Sequence, residues 1–109
     1  MKMTRRSATA ELTTAADGSM VVHLAGELDH DGVLAVEGEV HRAAATAANT
    51  LSLDAERVTF VDSAGLRLVL QAQMTASSRG VDFVLARPSD NVVRLLELTG
   101  LDDLISTSG

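Results

Sequence analysis

Segments typical of β-strands alternate along this chain with longer segments that carry apolar residues at helical spacing. Strands are predicted at residues 8–14, 20–25, 50–54 and 81–86, and helices at residues 32–48, from about 63 to 78, and 90–98. Strand–helix–strand units build parallel sheets with helices packed on them. The order therefore predicts an α/β fold, a single domain with a mixed, mostly parallel β-sheet flanked by α-helices.

Turn and cap residues set the expected boundaries of these elements. The Asp17-Gly18 pair predicts a hairpin between the first two strands. Asp29 or Asp31 is expected to cap the first helix, and Gly80 follows the end of the second.

Residues 55–60 are expected to be a connection, and residues 101–105 a short closing element. The second helix is predicted to bury Leu66, Val69, Leu70 and Met74, and the first to bury a stripe of Val33, Val36, Val40, Ala44 and Ala47.

Composition sets the class of molecule. The 109 residues fit one domain, and 46% hydrophobic residues predict a packed core. We expect residues 8–107 to form the domain and residues 1–7 to be a flexible N-terminal segment. No cysteine is present, which excludes disulfides and thiol catalysis. Neither a phosphate-binding glycine motif nor a local cluster of metal ligands occurs, so no cofactor and no metal are predicted.

The charge of the chain restricts its partners. A net charge of −6 repels phosphate backbones and anionic membranes, so no nucleic acid and no membrane partner are expected. Aromatic residues make up only 2%, which also disfavours base stacking. No signal peptide or apolar stretch of spanning length is visible, and a cytoplasmic location is predicted.

Residues 60–66, Phe-Val-Asp-Ser-Ala-Gly-Leu, form the segment with the strongest chemical signal. Ser63 stands between an acidic residue and two small residues, at or near the cap of the second helix. Ala64 and Gly65 leave space around the hydroxyl, and the helix dipole favours an added phosphate there. On the local residues alone, a helix cap without any other role is the favoured interpretation of Ser63.

Two motifs resemble one known family. Residues 22–31, Val-His-Leu-Ala-Gly-Glu-Leu-Asp-His-Asp, are similar to the second strand and first loop of STAS domains. Residues 60–66 resemble the phosphoacceptor loop of the anti-sigma factor antagonists. Residues 87–101 resemble the fourth-strand exit and the following helix, so the similarity spans residues 11 to 105.

The resemblance implies a phosphorylation switch. Ser63 matches the serine that is phosphorylated by an anti-sigma factor which is itself a GHKL-type serine kinase. Asp29 matches an acidic residue expected to contact that kinase, and Asp62 matches the acid before the acceptor. In this family the unphosphorylated antagonist binds the anti-sigma factor and frees a sigma factor, and a PP2C-type phosphatase resets it.

The remaining partner-binding candidates surround Ser63 in the sequence. Ala64 stands where many family members have a second hydroxyl residue, and Gly65 follows it. His30 lies beside Asp29 in the expected partner loop. Arg67 is expected to be a solvated surface residue, and pairing with Asp62 or a phosphate is the alternative. Leu68 is either an apolar anchor for the partner or a half-buried residue under a loop.

Other functions were weighed against the switch. A hydrolase nucleophile elbow requires Gly where this chain has Val61, and no histidine is well placed as a base, so no enzyme activity is predicted. Within the fold, the alternative is an accessory subunit of a lipid ABC transporter or a stressosome-like scaffold.

Overall fold

The computed structural model describes residues 8–100, and within them it shows four strands and three helices. In chain order they are β1 (Ala8–Thr14), β2 (Met20–Leu28), α1 (His30–Thr46), β3 (Thr50–Val61), α2 (Ser63–Ser78), β4 (Asp82–Ala86) and α3 (Asp90–Thr99). The predicted α/β class is confirmed. The expectations for residues 1–7 and for the closing element at 101–105 lie outside the described residues.

The strands form one sheet in the order β1-β2-β3-β4. β1 and β2 are antiparallel, whereas β2, β3 and β4 run parallel to one another. Gly18, with a φ of 87°, makes the turn of the predicted hairpin, and the Ala15 amide donates to the Ser19 carbonyl at 2.8 Å. The sheet is therefore mixed and mostly parallel, as expected.

The core lies between the sheet and the helix pair α1 and α2, which also pack against each other. Val36, Val40, Ala44 and Ala47 of the predicted stripe are buried. Arg79, which follows α2, donates from Nη1 to the carbonyls of Ala44 (2.8 Å) and Ala47 (2.9 Å), so it satisfies the C-terminal end of α1. None of the helices within residues 8–100 is long and apolar enough to span a bilayer.

The predicted buried face of α2 was wrong in part: Val69 is buried and Leu66 packs against the core while partly exposed, but Leu70 is only half-buried and Met74 is not buried. Met74 is 66% exposed and Leu66 is half-buried, while Leu68 is buried. The residues that face the core are Gly65, Leu68, Val69, Ala72 and Ala76. The small side chains on this face allow α2 to pack closely in the core. The prediction failed because it assigned burial to the large apolar side chains and not to Gly and Ala.

The predicted end of β3 was also wrong, because the strand continues through residues 55–60 to Val61. Its first part, residues 50–54, pairs with both β2 and β4. Its second part pairs with β2 alone, through two register shifts, and packs against α3. The Asn91 side chain of α3 donates to the Thr59 carbonyl. The bulged register interrupts the alternation that identifies a strand in sequence.

Candidate functional site

β2 and β3 end side by side, and a helix starts from each end. Leu28 pairs with Val61 in the parallel register, and the amide of Asp62 approaches the Leu28 carbonyl at 3.4 Å. The residues that directly follow these two strands are Asp29 and Asp62, which cap α1 and α2. The topology thus brings together the two motifs that carry the resemblance to STAS domains.

Both aspartates act through their side-chain oxygens. Asp29 Oδ1 accepts the Gly32 amide at 2.8 Å. Asp62 Oδ1 accepts the Ala64 amide at 2.9 Å and the Gly65 amide at 3.4 Å. These bonds satisfy amides that have no partner within their helices. Of the two candidate caps for α1, the structure selects Asp29.

Ser63 is the first residue of α2 rather than its cap, and its side chain is exposed. The capping role that explained Ser63 on local sequence belongs to Asp62 instead. Within residues 8–100 the Ser63 hydroxyl has no hydrogen-bond partner, so it is not engaged in a contact that stabilises the fold.

Two of the candidate contact residues are buried. Gly65 is packed against the end of β2, and Leu68 is only 1% exposed. Leu68 belongs to the core and lines the floor of the groove between α1 and α2, so it is neither an exposed apolar anchor nor a half-buried residue under a loop. Position 68 follows Gly65 by three residues and so falls on the same inward face of α2.

A groove between α1 and α2 adjoins Ser63. It has a volume of about 230 Å³ and is lined by His30, Leu34, Ala64, Arg67 and Gln71, among others. Leu34 is 58% exposed, so a large apolar side chain lies at its rim. Sequence analysis missed Leu34, although its position off the apolar stripe of α1 was the available signal.

Arg67 and His30 line this groove from opposite helices. Arg67 is exposed, and among residues 8–100 it has no ion pair, as expected of a solvated surface residue; the alternative pairing with Asp62 is absent. Around the groove and the helix starts, the acidic groups outnumber the basic ones. The acidic residues are Asp29, Asp31, Glu37 and Asp62.

A second polar cluster centres on Asp54 of β3, which is only 6% exposed. Asp54 Oδ2 contacts Arg87 Nη2 at 2.5 Å and His23 Nδ1 at 2.9 Å, and Oδ1 accepts the Glu56 amide at 3.1 Å. Burial raises the pKa of Asp54, but hydrogen bonds from Arg87, the Glu56 amide and His23 outweigh it. The net result is a pKa below the ordinary 3.8.

This cluster lines an open cavity of about 530 Å³, together with residues of β1. Thr13 Oγ1 lies 3.3 Å from His23 Nε2, which extends the chain of contacts across the hairpin. Sequence reasoning missed the cluster, because its members come from separate strands and form no local motif. Within residues 8–100, no group of three His, Asp or Glu side chains is arranged to hold a metal ion.

The fold and the paired helix starts define a domain of the STAS type. The family model described as "Mlab, STAS domain" matches residues 12–106 of the chain. The chain therefore belongs to this family of STAS domains. No curated protein matches the chain by sequence comparison.

Solved structures of anti-sigma factor antagonists are similar to this one. The unphosphorylated antagonist SpoIIAA is 27% identical, with 90% of this chain and 86% of that chain covered and a TM-score of 0.75. The phosphorylated form of SpoIIAA, the Bacillus cell fate determinant, is 26% identical, with 90% and 89% covered and a TM-score of 0.71. An antagonist from Mycobacterium paratuberculosis is 26% identical, with 91% and 83% covered and a TM-score of 0.79.

Proposed function

We propose that the protein is an anti-sigma factor antagonist that binds an anti-sigma factor serine kinase of the GHKL type while Ser63 is unmodified. The observation that carries this proposal is the exposed Ser63 hydroxyl at the start of α2, unoccupied by the fold and flanked by two capping aspartates. The similarity to antagonists, one of them described in a phosphorylated form, supports it. The proposed cellular location is the cytoplasm, and the protein itself is a substrate, not an enzyme.

The binding surface consists of the helix starts and the groove between them. Asp29, His30, Asp62, Ala64 and Arg67 contribute to it, and Gly65 shapes it from below. An acidic rim favours a basic partner surface through complementary charge. Exposed Leu34 adds an apolar contact at the rim of the groove.

Phosphorylation reverses the binding. The kinase transfers the γ-phosphoryl group of ATP to Ser63 Oγ, which loses its proton as the new P–O bond forms and ADP leaves. The product carries about −1.5 to −2 charge at this point, next to Asp62. A loss of about 1.4 kcal/mol of binding free energy lowers the affinity for the partner tenfold. A local charge change of this size is enough for release, so the domain does not need to refold. A PP2C-type phosphatase hydrolyses the phosphate ester and restores the binding form.

Calorimetry with the copurified kinase tests this proposal. Ser63→Ala is expected to bind as tightly as the unmodified protein, and Ser63→Asp at least about tenfold more weakly, since added charge in an interface is costly. Ser77→Asp, at an exposed serine near the other end of α2, is the matched control and should bind normally. Equal affinities for Ser63→Ala and Ser63→Asp would contradict the switch.

Intact mass of the protein from its native host supplies the second test. A mass increase of one phosphate, mapped to Ser63, is expected in part of the population. Phosphate mapped to another residue, or an unmodified population under all growth conditions, would argue against Ser63 as the acceptor.

The second candidate is an accessory subunit of a lipid ABC transporter, or a stressosome-like scaffold, that holds one partner permanently. Exposed Leu34 and Met74 on neighbouring helices favour it, because a permanent partner covers such side chains. Recovery of a transporter ATPase in place of a kinase during copurification would support this candidate.

A further inference from the structure

Three backbone amides in the first turn of α2, those of Ala64, Gly65 and Leu66, are already hydrogen-bonded in the unmodified protein. Asp62 Oδ1 accepts from the amides of Ala64 and Gly65, and the Leu66 amide donates to the Asp62 carbonyl at 3.0 Å. A phosphate on Ser63 can take these amides only by displacing a carboxylate of its own sign. The helix dipole still favours negative charge at this point, but these three amides are not free to bind the phosphate, so a nearby cation would add to its stabilisation.

Arg67 is placed to do so. It follows Ser63 by four residues, and side chains with this spacing lie next to each other on one side of a helix. Both side chains are exposed, and within residues 8–100 no carboxylate pairs with Arg67. Arg67 also shares the groove lining with Ala64, the immediate neighbour of Ser63.

The charged groups near this position make Arg67 distinctive. Asp62 lies on its own helix, and Asp29, Asp31 and Glu37 belong to the facing end of α1 or to its cap. His30, at the start of α1, is the basic group on the other side of the groove. Arg67 is thus the permanent cation on the α2 side of a surface that is otherwise acidic.

We propose that a phosphoryl group on Ser63 is held within the domain by an ion pair with the Arg67 guanidinium. This inference rests on the proposed function, since it concerns the modified state of the same serine. Guanidinium and phosphate pair through two parallel hydrogen bonds, a geometry that lysine does not reproduce. Phosphorylation then changes the surface in two ways: it adds negative charge at Ser63, and it withdraws Arg67 from contact with a partner.

The test uses the full chain with phosphoserine incorporated genetically at position 63, so that no kinase is needed. The second ionisation of the phosphate is followed by ³¹P NMR against pH. A neighbouring cation favours the dianion, so the phosphate pKa should be lower with Arg67 present than in Arg67→Gln. The expected difference is about 0.15–0.7 pH units, the range for one surface ion pair.

Arg94→Gln is the matched control, because it removes the same charge from an exposed position on α3. It should leave the phosphate titration unchanged. Identical titrations for the parent and Arg67→Gln would overturn the inference, as would an equal shift in Arg94→Gln, which would indicate a net-charge effect. Because the phosphate is installed without the kinase, either result leaves the binding experiment on Ser63→Ala and Ser63→Asp independent.

Discussion

Gly65 in the first turn of α2 lies directly against the carbonyl group of Leu28, the last residue of β2. A Cβ built on Gly65 would lie 2.5 Å from that carbonyl oxygen and 2.6 Å from Cγ2 of Val61. Real Cβ atoms do not approach backbone oxygens so closely. The absence of a side chain at position 65 is what allows α2 to start at the strand ends.

Gly65→Ala is therefore expected to destabilise the fold, although alanine favours helices. Overpacking of this kind costs about 1–3 kcal/mol, measured as the free energy of unfolding in urea. Gly38→Ala is the matched control, since its Cβ meets nothing within 4 Å on an exposed side of α1. That change should stabilise the protein by about 0.5–1 kcal/mol. A stabilising Gly65→Ala would show that the contact with Leu28 is not tight.

Asp62→Ala removes the cap of α2. The amides of Ala64 and Gly65 lose their acceptor, which costs about 0.5–2 kcal/mol of unfolding free energy. Asp62→Asn keeps an oxygen in the same position and should retain most of the stability. If both variants lost the same amount, the charge of Asp62, rather than its hydrogen bonds, would be responsible.

Leu68→Ala distinguishes a core residue from a binding residue. Since Leu68 is 1% exposed, its truncation should lower the unfolding free energy by about 2–5 kcal/mol. Met74→Ala, on the 66% exposed side chain of the same helix, should change stability by less than about 0.5 kcal/mol. A small loss for Leu68→Ala would contradict its place in the core.

The Asp54 cluster predicts how stability depends on pH. Because the pKa of Asp54 is lower in the folded state, its contribution is complete above the ordinary value of 3.8 and is lost as the pH falls through the lowered value. Asp54→Asn should cost about 1–3 kcal/mol at neutral pH, since it weakens hydrogen bonds to charged groups. In urea unfolding, the difference from the parent protein should shrink below pH 3.8.

Arg87→Met provides a direct check on this cluster. Arg87 is the leading hydrogen-bond donor that holds the Asp54 pKa down, so its removal should raise that pKa. The carboxyl ¹³C shift of Asp54, titrated by NMR, reports the change. An unchanged Asp54 titration would show that the ion pair with Arg87 does not form in solution.

The sequence predicted the order of elements well, because strand and helix periodicities differ strongly and Asp17-Gly18, Asp29 and Gly80 are clear local signals. It failed where packing between elements decides. The orientation of α2 follows from the close approach of Gly65 and Ala72 to the sheet, and the length of β3 depends on a bulged register. Both involve residues distant in sequence.

The candidate site shows the same division. Ser63, Asp29 and Asp62 could be proposed from the sequence because they belong to local motifs, which the parallel pairing of Leu28 with Val61 brings together in the structure. The contacts between His23, Asp54 and Arg87 join β2, β3 and the residue after β4. These positions are far apart in the sequence, so no short motif predicts the contacts. Leu68 was ambiguous because helical spacing defines faces without stating which face the sheet covers.

In the proposed function, the two aspartates at the paired strand ends serve partner recognition as well as the capping of α1 and α2. Replacing Asp29 or Asp62 to alter what the rim attracts also releases amides that hold a helix in place. Within residues 8–100, Ser63 and Arg67 are exposed and their side chains cap no helix. They are the positions where the electrical character of this surface can change while the scaffold beneath stays as it is.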